Sequence, residues 1–226
     1  MKTRAAAVLC GVYLLGMGLL SSCVSPPKAT KSSWIVNGRV MGTILTTQTA
    51  TGEELDYRDN LGRLVRIEKH GPDGRGLPGV CAYQYSYNAD GALIMEQNQN
   101  ASGLLACNSD GFAVEEYAYS YDGVGNSLVQ QSFLDQYLRP VATKAGFAMI
   151  KTTKAPDGTV LRHQFFDAQG KPASATWDGV SGVADIQYTW LQGVTPVLCG
   201  VFRDGSGNII ERKQLAGETK ASILVY

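Results

Sequence analysis

A four-residue element, Asp or Asn, any two residues, then Gly, recurs along the chain at Asp59 and Gly62, Asn88 and Gly91, Asn108 and Gly111, Asp122 and Gly125, Asp167 and Gly170, and Asp204 and Gly207. This is the preference of a type I turn whose first side chain caps the backbone and whose last residue turns left-handed as a bulge. Three worn copies end at Leu138, Gly158 and Gly193. Residues 112–121, 126–134 and 159–166 lie between turns with neither Gly nor Pro, so each is one strand, and successive turns fall on opposite edges. The expected fold is therefore all-β, an antiparallel meander of repeated β-hairpins with no substantial helix after the amino-terminal segment. A helix over 128–138 is overruled by alignment of that segment with 158–170, since no 3.6-residue spacing runs through the repeat.

The repeat unit is longer than one hairpin. Residues 117–131, YAYSYDGVGNSLVQQ, repeat the pattern of residues 83–97, YQYSYNADGALIMEQ, 34 positions earlier, and DQYLRP at 135–140 returns as DAQGKP at 167–172. The result is a β supersecondary repeat of about 32–36 residues. Alternation places Tyr83, Tyr85 and Tyr87 on one face of a strand, and Tyr117, Tyr119 and Tyr121 on one face of another. These six tyrosines have two readings. Either they are cross-strand aromatic packing, or one ladder is an exposed strip on which sugar rings or a partner's side chains stack.

Composition fits one folded domain: 226 residues, 44% hydrophobic, 26 glycines and no net charge, so the overall charge attracts neither nucleic acid nor anionic lipid. Asn37-Gly38 inside an apolar run signals a hairpin opening the folded part at Trp34, and the ASILVY segment at 221–226 reads as a final strand covering an edge.

The start, MKTRAAAVLCGVYLLGMGLLSSC, has a basic region, an apolar run and small residues before Cys23, the layout of a secretory signal. Leu20-Ser21-Ser22-Cys23 resembles the lipobox of bacterial lipoproteins. That resemblance implies a signal peptide over 1–22, lipidation (diacylglycerol plus an acyl chain such as palmitate) at Cys23, and membrane attachment through more than one chain. With no aspartate after Cys23, it implies a cell-envelope location at the outer rather than the inner membrane. Residues 23–33 read as a flexible tether and 34–226 as the β-repeat domain. Cys81, Cys107 and Cys199 then sit in an oxidising compartment, where one disulfide with one free thiol is open and the pair is not fixed by sequence. Cys107 occupies the slot that Tyr87 and Tyr121 fill before their turns and reads as a small buried apolar residue.

Tyr121-Asp122-Gly123-Val124-Gly125-Asn126, and less literally Phe166-Asp167-Ala168-Gln169-Gly170-Lys171-Pro172, resemble the YD repeat of RHS-type bacterial proteins. The resemblance implies a curved antiparallel sheet that displays or encloses cargo without chemistry of its own, here too short to close into a shell.

Recognisable catalytic chemistry is sparse. His70 and His163 are the two histidines, with no spaced second ligand for zinc. No nucleophile elbow or phosphate-binding loop occurs. The NADG and NSDG segments resemble calcium-loop fragments but have Gln97 and Tyr117 where the bidentate Glu belongs. The 70–79 loop, HGPDGRGLPG, reads as a linker between hairpins. Glu115 and Glu116 point to opposite faces of a strand. These observations lead to a non-enzymatic envelope lipoprotein without cofactor or metal, whose β-repeat sheet binds a glycan or envelope protein or stiffens the envelope. The alternatives are a glycan-active hydrolase using scattered Asp and Glu, marked by two facing carboxylates in a cleft, and a partner or inhibitor of an RHS-type toxin.

Overall fold

The computed structural model describes residues 29–191 and 197–215. Its strands are β1 (Ala29–Val36), β2 (Arg39–Thr49), β3 (Gly52–Asp59), β4 (Leu64–His70), β5 (Ala82–Tyr87), β6 (Leu93–Gln99), β7 (Val114–Tyr121) and β8 (Ser127–Leu134). They continue with β9 (Met149–Lys154), β10 (Val160–Phe166), β11 (Ala175–Trp177), β12 (Val180–Val183), β13 (Asp185–Leu191), β14 (Val197–Arg203) and β15 (Ile209–Gln214). Thirteen form one open sheet in chain order, every neighbour antiparallel, while β11 and β12 make a separate small hairpin. The all-β meander is the architecture that the turn spacing predicts, and no helix occurs among the described residues.

The turns explain the regularity. At Asp122 the backbone N–H bonds the Asn126 carbonyl (3.0 Å), Gly125 N–H returns to the Asp122 carbonyl (3.2 Å), and one carboxylate oxygen accepts from Val124 and Asn126 N–H, both at 2.9 Å. The same closure is made at Asp59, Asp135, Asp167 and Asp204. At Asp122, Asp135 and Asp204 these bonds favour the ionised carboxyl and hold it below its usual range, through the Asn126 side chain, the Arg139 N–H and the Asn208 side chain respectively. One further copy of the same spacing, Asn100 to Gly103, closes alike directly after β6. At Leu138 a leucine takes the glycine place at φ 61°.

Four connections between hairpins are built alike. Each leaves its strand through a turn, crosses back by an isolated bridge (His70 to Gly76, Gln99 to Leu105, Leu134 to Pro140, Phe166 to Pro172), and re-enters the sheet at Cys81, Ala113, Ala148 or Ala184. These connections grow from 70–81 to 166–184, and the last contains β11 and β12, joined by an Asp178-Gly179 turn with φ of 49° and 77°. The core lies beneath them. Phe133, Phe147, Ile150, Phe165, Ile186 and Phe202 are buried under Ala173, Ala175, Val180 and Val183, with Trp177 against the edge. Ring centroids step across the sheet at 4.9 Å (Phe112 to Phe133), 5.7 Å (Phe133 to Phe147), 5.0 Å (Phe147 to Phe165) and 5.1 Å (Phe165 to Trp177). Burying each such side chain contributes about 1.5–3 kcal/mol, so stability is concentrated in the carboxy-terminal half.

Three local expectations need comment. β1 begins at Ala29, so residues 29–33 of the expected tether belong to an edge strand, exposed throughout this stretch. Backbone pairing to β2 recruits them although they bury little, which composition does not reveal. Cys107 is exposed, unlike the buried residue expected; its slot before the turn faces solvent, as Tyr121 does in the next repeat. Cys81, Cys107 and Cys199 are free thiols. The Asn37-Gly38 hairpin forms as expected, with φ of 50° and 75°, and Gly42 beside it is fixed by close approach, since a Cβ there would stand 1.8 Å from the Arg58 carbonyl oxygen. The worn turn at Gly193, the 221–226 strand and Cys23 lie outside the described residues.

Candidate functional site

The strand register carries one face of the sheet from open surface into core. Tyr85 stands opposite Glu96, Glu96 opposite Glu115, and Glu115 opposite Phe133. The next row runs Tyr117, Gln131, Ile150, Phe165, and the one beyond it Tyr119, Val129, Thr152, His163, Ile186, Phe202. Directly paired residues share a face, so both tyrosine ladders lie on the face that farther along is capped by β11, β12 and their connection. Over β5 to β7 no such hairpin lies on it.

The six tyrosines are graded rather than uniform. Tyr83, Tyr85, Tyr87 and Tyr117 are half-buried; Tyr119 is 45% and Tyr121 78% exposed. Two of the hydroxyls are held by backbone: Tyr87 donates to the Leu64 carbonyl and Tyr119 to the Leu93 carbonyl, each at 2.7 Å. Lys69 lies over the Tyr83 ring at 5.1 Å and Arg63 over the Tyr87 ring at 4.9 Å, cation–π contacts that stiffen one end of the first ladder. Among the described residues no Lys or Arg lies over a ring of the second ladder.

Between the ladders sits a pair that sequence reasoning did not find. Glu96 and Glu115 face one another on adjacent strands, and among the described residues neither has a Lys or Arg partner within ion-pair distance. Burial pushes the Glu96 carboxyl above its usual range, and the Glu115 charge pushes it further. Burial likewise raises Glu115, against hydrogen bonds from Tyr117 and from Gln131, whose Nε2 donates at 2.8 Å. Tyr85 and Tyr117 are raised by burial first and by the adjoining carboxylates second. The arrangement offers aromatic faces, carboxyl groups that take or give a proton near acidic pH, and a side-chain amide, all within one open patch. The signal that could have located it is the pairing of β6 with β7, which the intervening connection sets and no short-range rule fixes.

Farther along the face, under the cap, His163 is buried. Its Nδ1 lies 2.9 Å from the Thr152 hydroxyl, and the ring contacts Trp177 at 5.6 Å and Tyr188 edge-on at 5.3 Å. Burial, with the Lys154 charge second, pushes its pKa down to about 4. This is a neutral core histidine. His70 ends β4, 3.4 Å from Glu68 and 3.8 Å from Glu53. Among the described residues no group of three His, Cys, Asp or Glu side chains is placed to hold a metal ion.

The opposite face is self-satisfied. Behind the first ladder, Tyr57 donates to Glu68 (3.1 Å), Arg66 bonds both Glu68 (2.6 Å) and Gln99 (2.9 Å), and Gln99 donates to Gln84 (3.1 Å). Behind the core, a depression of about 280 Å³ is lined by Arg162, Gln164, Asp185, Gln187 and Arg203, with Arg162 paired to Asp185. No family model and no curated protein sequence matches the chain.

Proposed function

We propose that this chain is a non-catalytic, lipid-anchored protein of the cell envelope that binds an extended glycan across the open face of β5 to β8. The observation that carries the reading is the run of one sheet face from a capped core into an uncapped patch, where Tyr119 and Tyr121 are exposed beside Tyr117, Glu96, Glu115 and Gln131. A tyrosine ring presents a flat apolar surface to the C–H face of a sugar. Flanking carboxyl and amide groups give direction through hydroxyl hydrogen bonds. A strand-based platform presents these groups without ordering a loop, which lowers the entropic cost of binding. Retention of the acylated protein on purified envelope polysaccharides tests it: Tyr119→Ala with Tyr121→Ala should abolish retention, and undiminished retention rejects the glycan face.

One observation favours a second reading, the face-to-face Glu96 and Glu115. A glycosidase pairs one carboxyl group that holds its proton with a second that is ionised; here burial and the Glu115 charge raise Glu96, while hydrogen bonds from Tyr117 and Gln131 work against the burial of Glu115. That reading requires reducing-sugar release that disappears in Glu96→Gln and in Glu115→Gln while glycan retention survives; release unchanged in both eliminates it.

A further inference from the structure

We infer that the tip of the β1–β2 hairpin seats in the membrane surface, fixing how the sheet stands on its lipid anchor; this rests on the reading of Cys23 as the acylated residue. The tip exposes apolar side chains on both faces. Ile35 pairs with Val40 and shares its face, whereas Val36 pairs with Arg39 on the other, with Met41 extra at the register shift. Their exposures are 58% for Ile35, 57% for Val40, 43% for Val36 and 42% for Met41. A strand pair with exposed apolar side chains on both sides, and Arg39 beside Val36 on one of them, has no wholly polar face for solvent. In a meander the β3–β4 turn lies at the same end of the sheet, and its Leu61 is 78% exposed.

Charge and chain length name the occupant. All 20 acidic residues follow Gly52, whereas the stretch from Cys23 to Gly52 carries Lys28, Lys31 and Arg39 and no acid. Without Lys2 and Arg4 of the signal segment the chain has 18 basic and 20 acidic residues, yet this stretch beside the anchor is purely basic, which suits an anionic lipid surface. Six residue steps separate Cys23 from Ala29, a reach of at most about 20 Å. The eight residues of β1 span roughly 26 Å. A strand tilted by about 45° with its tip at the headgroups lifts Ala29 by roughly 18 Å, within the tether's reach. In this pose the tyrosine-bearing strands β5 and β7, four and six positions from β1, stand roughly 20–30 Å from the hairpin.

The test places photoreactive p-benzoylphenylalanine at position 40, or at position 36, in the full chain, and at position 209 as an exposed control on β15. Each acylated protein is reconstituted in phosphatidylethanolamine–phosphatidylglycerol vesicles containing an alkyne-tagged phospholipid. Lipid adducts several-fold more abundant at 40 and 36 than at 209 are expected, and reduced by Arg39→Glu. Adducts equal at all three positions, on protein whose Cys23 acylation is confirmed by mass, overturn the seating alone. Absence of the acyl group removes the anchor and the inference with it. An adduct to protein instead of lipid also overturns it.

Discussion

Glu96 and Glu115 stand directly opposite one another across β6 and β7, two half-buried carboxyl groups on one face with tyrosines on either side. A like-charge cross-strand pair destabilises a sheet, and raised proton affinity on both members gives the sign of its pH dependence. The folded state holds these protons to higher pH than the unfolded chain does. Stability contributed by the pair is therefore largest in acid and is lost as pH rises from the ordinary carboxylate range through the folded pKa values.

Glu96→Gln should therefore stabilise the protein at pH 7 by roughly 0.2–1 kcal/mol and change little at pH 4. Urea unfolding of both proteins across this range checks it through the difference curve. Asp122, Asp135 and Asp204, whose carboxyls are lowered, contribute an opposite acid loss that cancels in that difference. A variant less stable at pH 7 would contradict like-charge repulsion.

His163 has the reverse sign. Its folded pKa lies near 4 and its unfolded value near 6.5. The contribution is complete above 6.5 and is lost as pH falls from there to about 4. At 1.36 kcal/mol per pKa unit the full effect is about 3 kcal/mol. A titration of the His163 ring by NMR should find it neutral at pH 5.5; a protonated ring at that pH refutes the buried neutral assignment.

Leu138 takes the left-handed conformation that glycine takes in most sister turns, and it is 58% exposed. Leu138→Gly removes a backbone cost of roughly 1–2 kcal/mol and loses little packing, while the freer unfolded chain offsets part of the gain. A net stabilisation of about 0.5–1 kcal/mol is expected from thermal unfolding. Phe165→Ala, at the fully buried centre of the ring stack, should by contrast cost about 3–5 kcal/mol.

Local chemistry made most of the fold legible. The Asx-x-x-Gly spacing located the hairpin turns because their bonds are made within five residues, and even Leu138 was found through Asp135 and its neighbours. What sequence missed is non-local. The two tyrosine repeats align at their turns with a 34-residue offset, yet their backbone bonds at the other end match Cys81 to Ala113, an offset of 32. β7 is two residues longer than β5, eight against six, so Glu115 takes the slot of Tyr83, and Tyr85 corresponds to Tyr117. An insertion of two preserves the faces, which is why the ladders survive while the acidic pair between them stayed hidden. The early start of β1 is similar: pairing with β2, rather than burial, decides it.

The tyrosine ladder separates structure from binding within a single strand. Tyr117 is half-buried, bonded to Glu115 and paired with Gln131, whereas Tyr121, four residues on and on the same face, is 78% exposed beside the turn. Tyr121→Ala removes little buried area and should alter stability by less than about 0.5 kcal/mol. Tyr117→Ala leaves a cavity and a raised carboxyl without its hydrogen bond, and should cost about 2–3 kcal/mol. If the open face binds glycan, Tyr121→Ala weakens retention at unchanged stability, the signature of a contact residue. Tyr121→Phe then keeps the stacking surface and should restore most of the retention, since the ring rather than the hydroxyl does the work. Measured together, unfolding and retention of these variants decide the matter: a Tyr121→Ala protein that binds as well as wild type removes the strip as a ligand surface and leaves the ladder as packing.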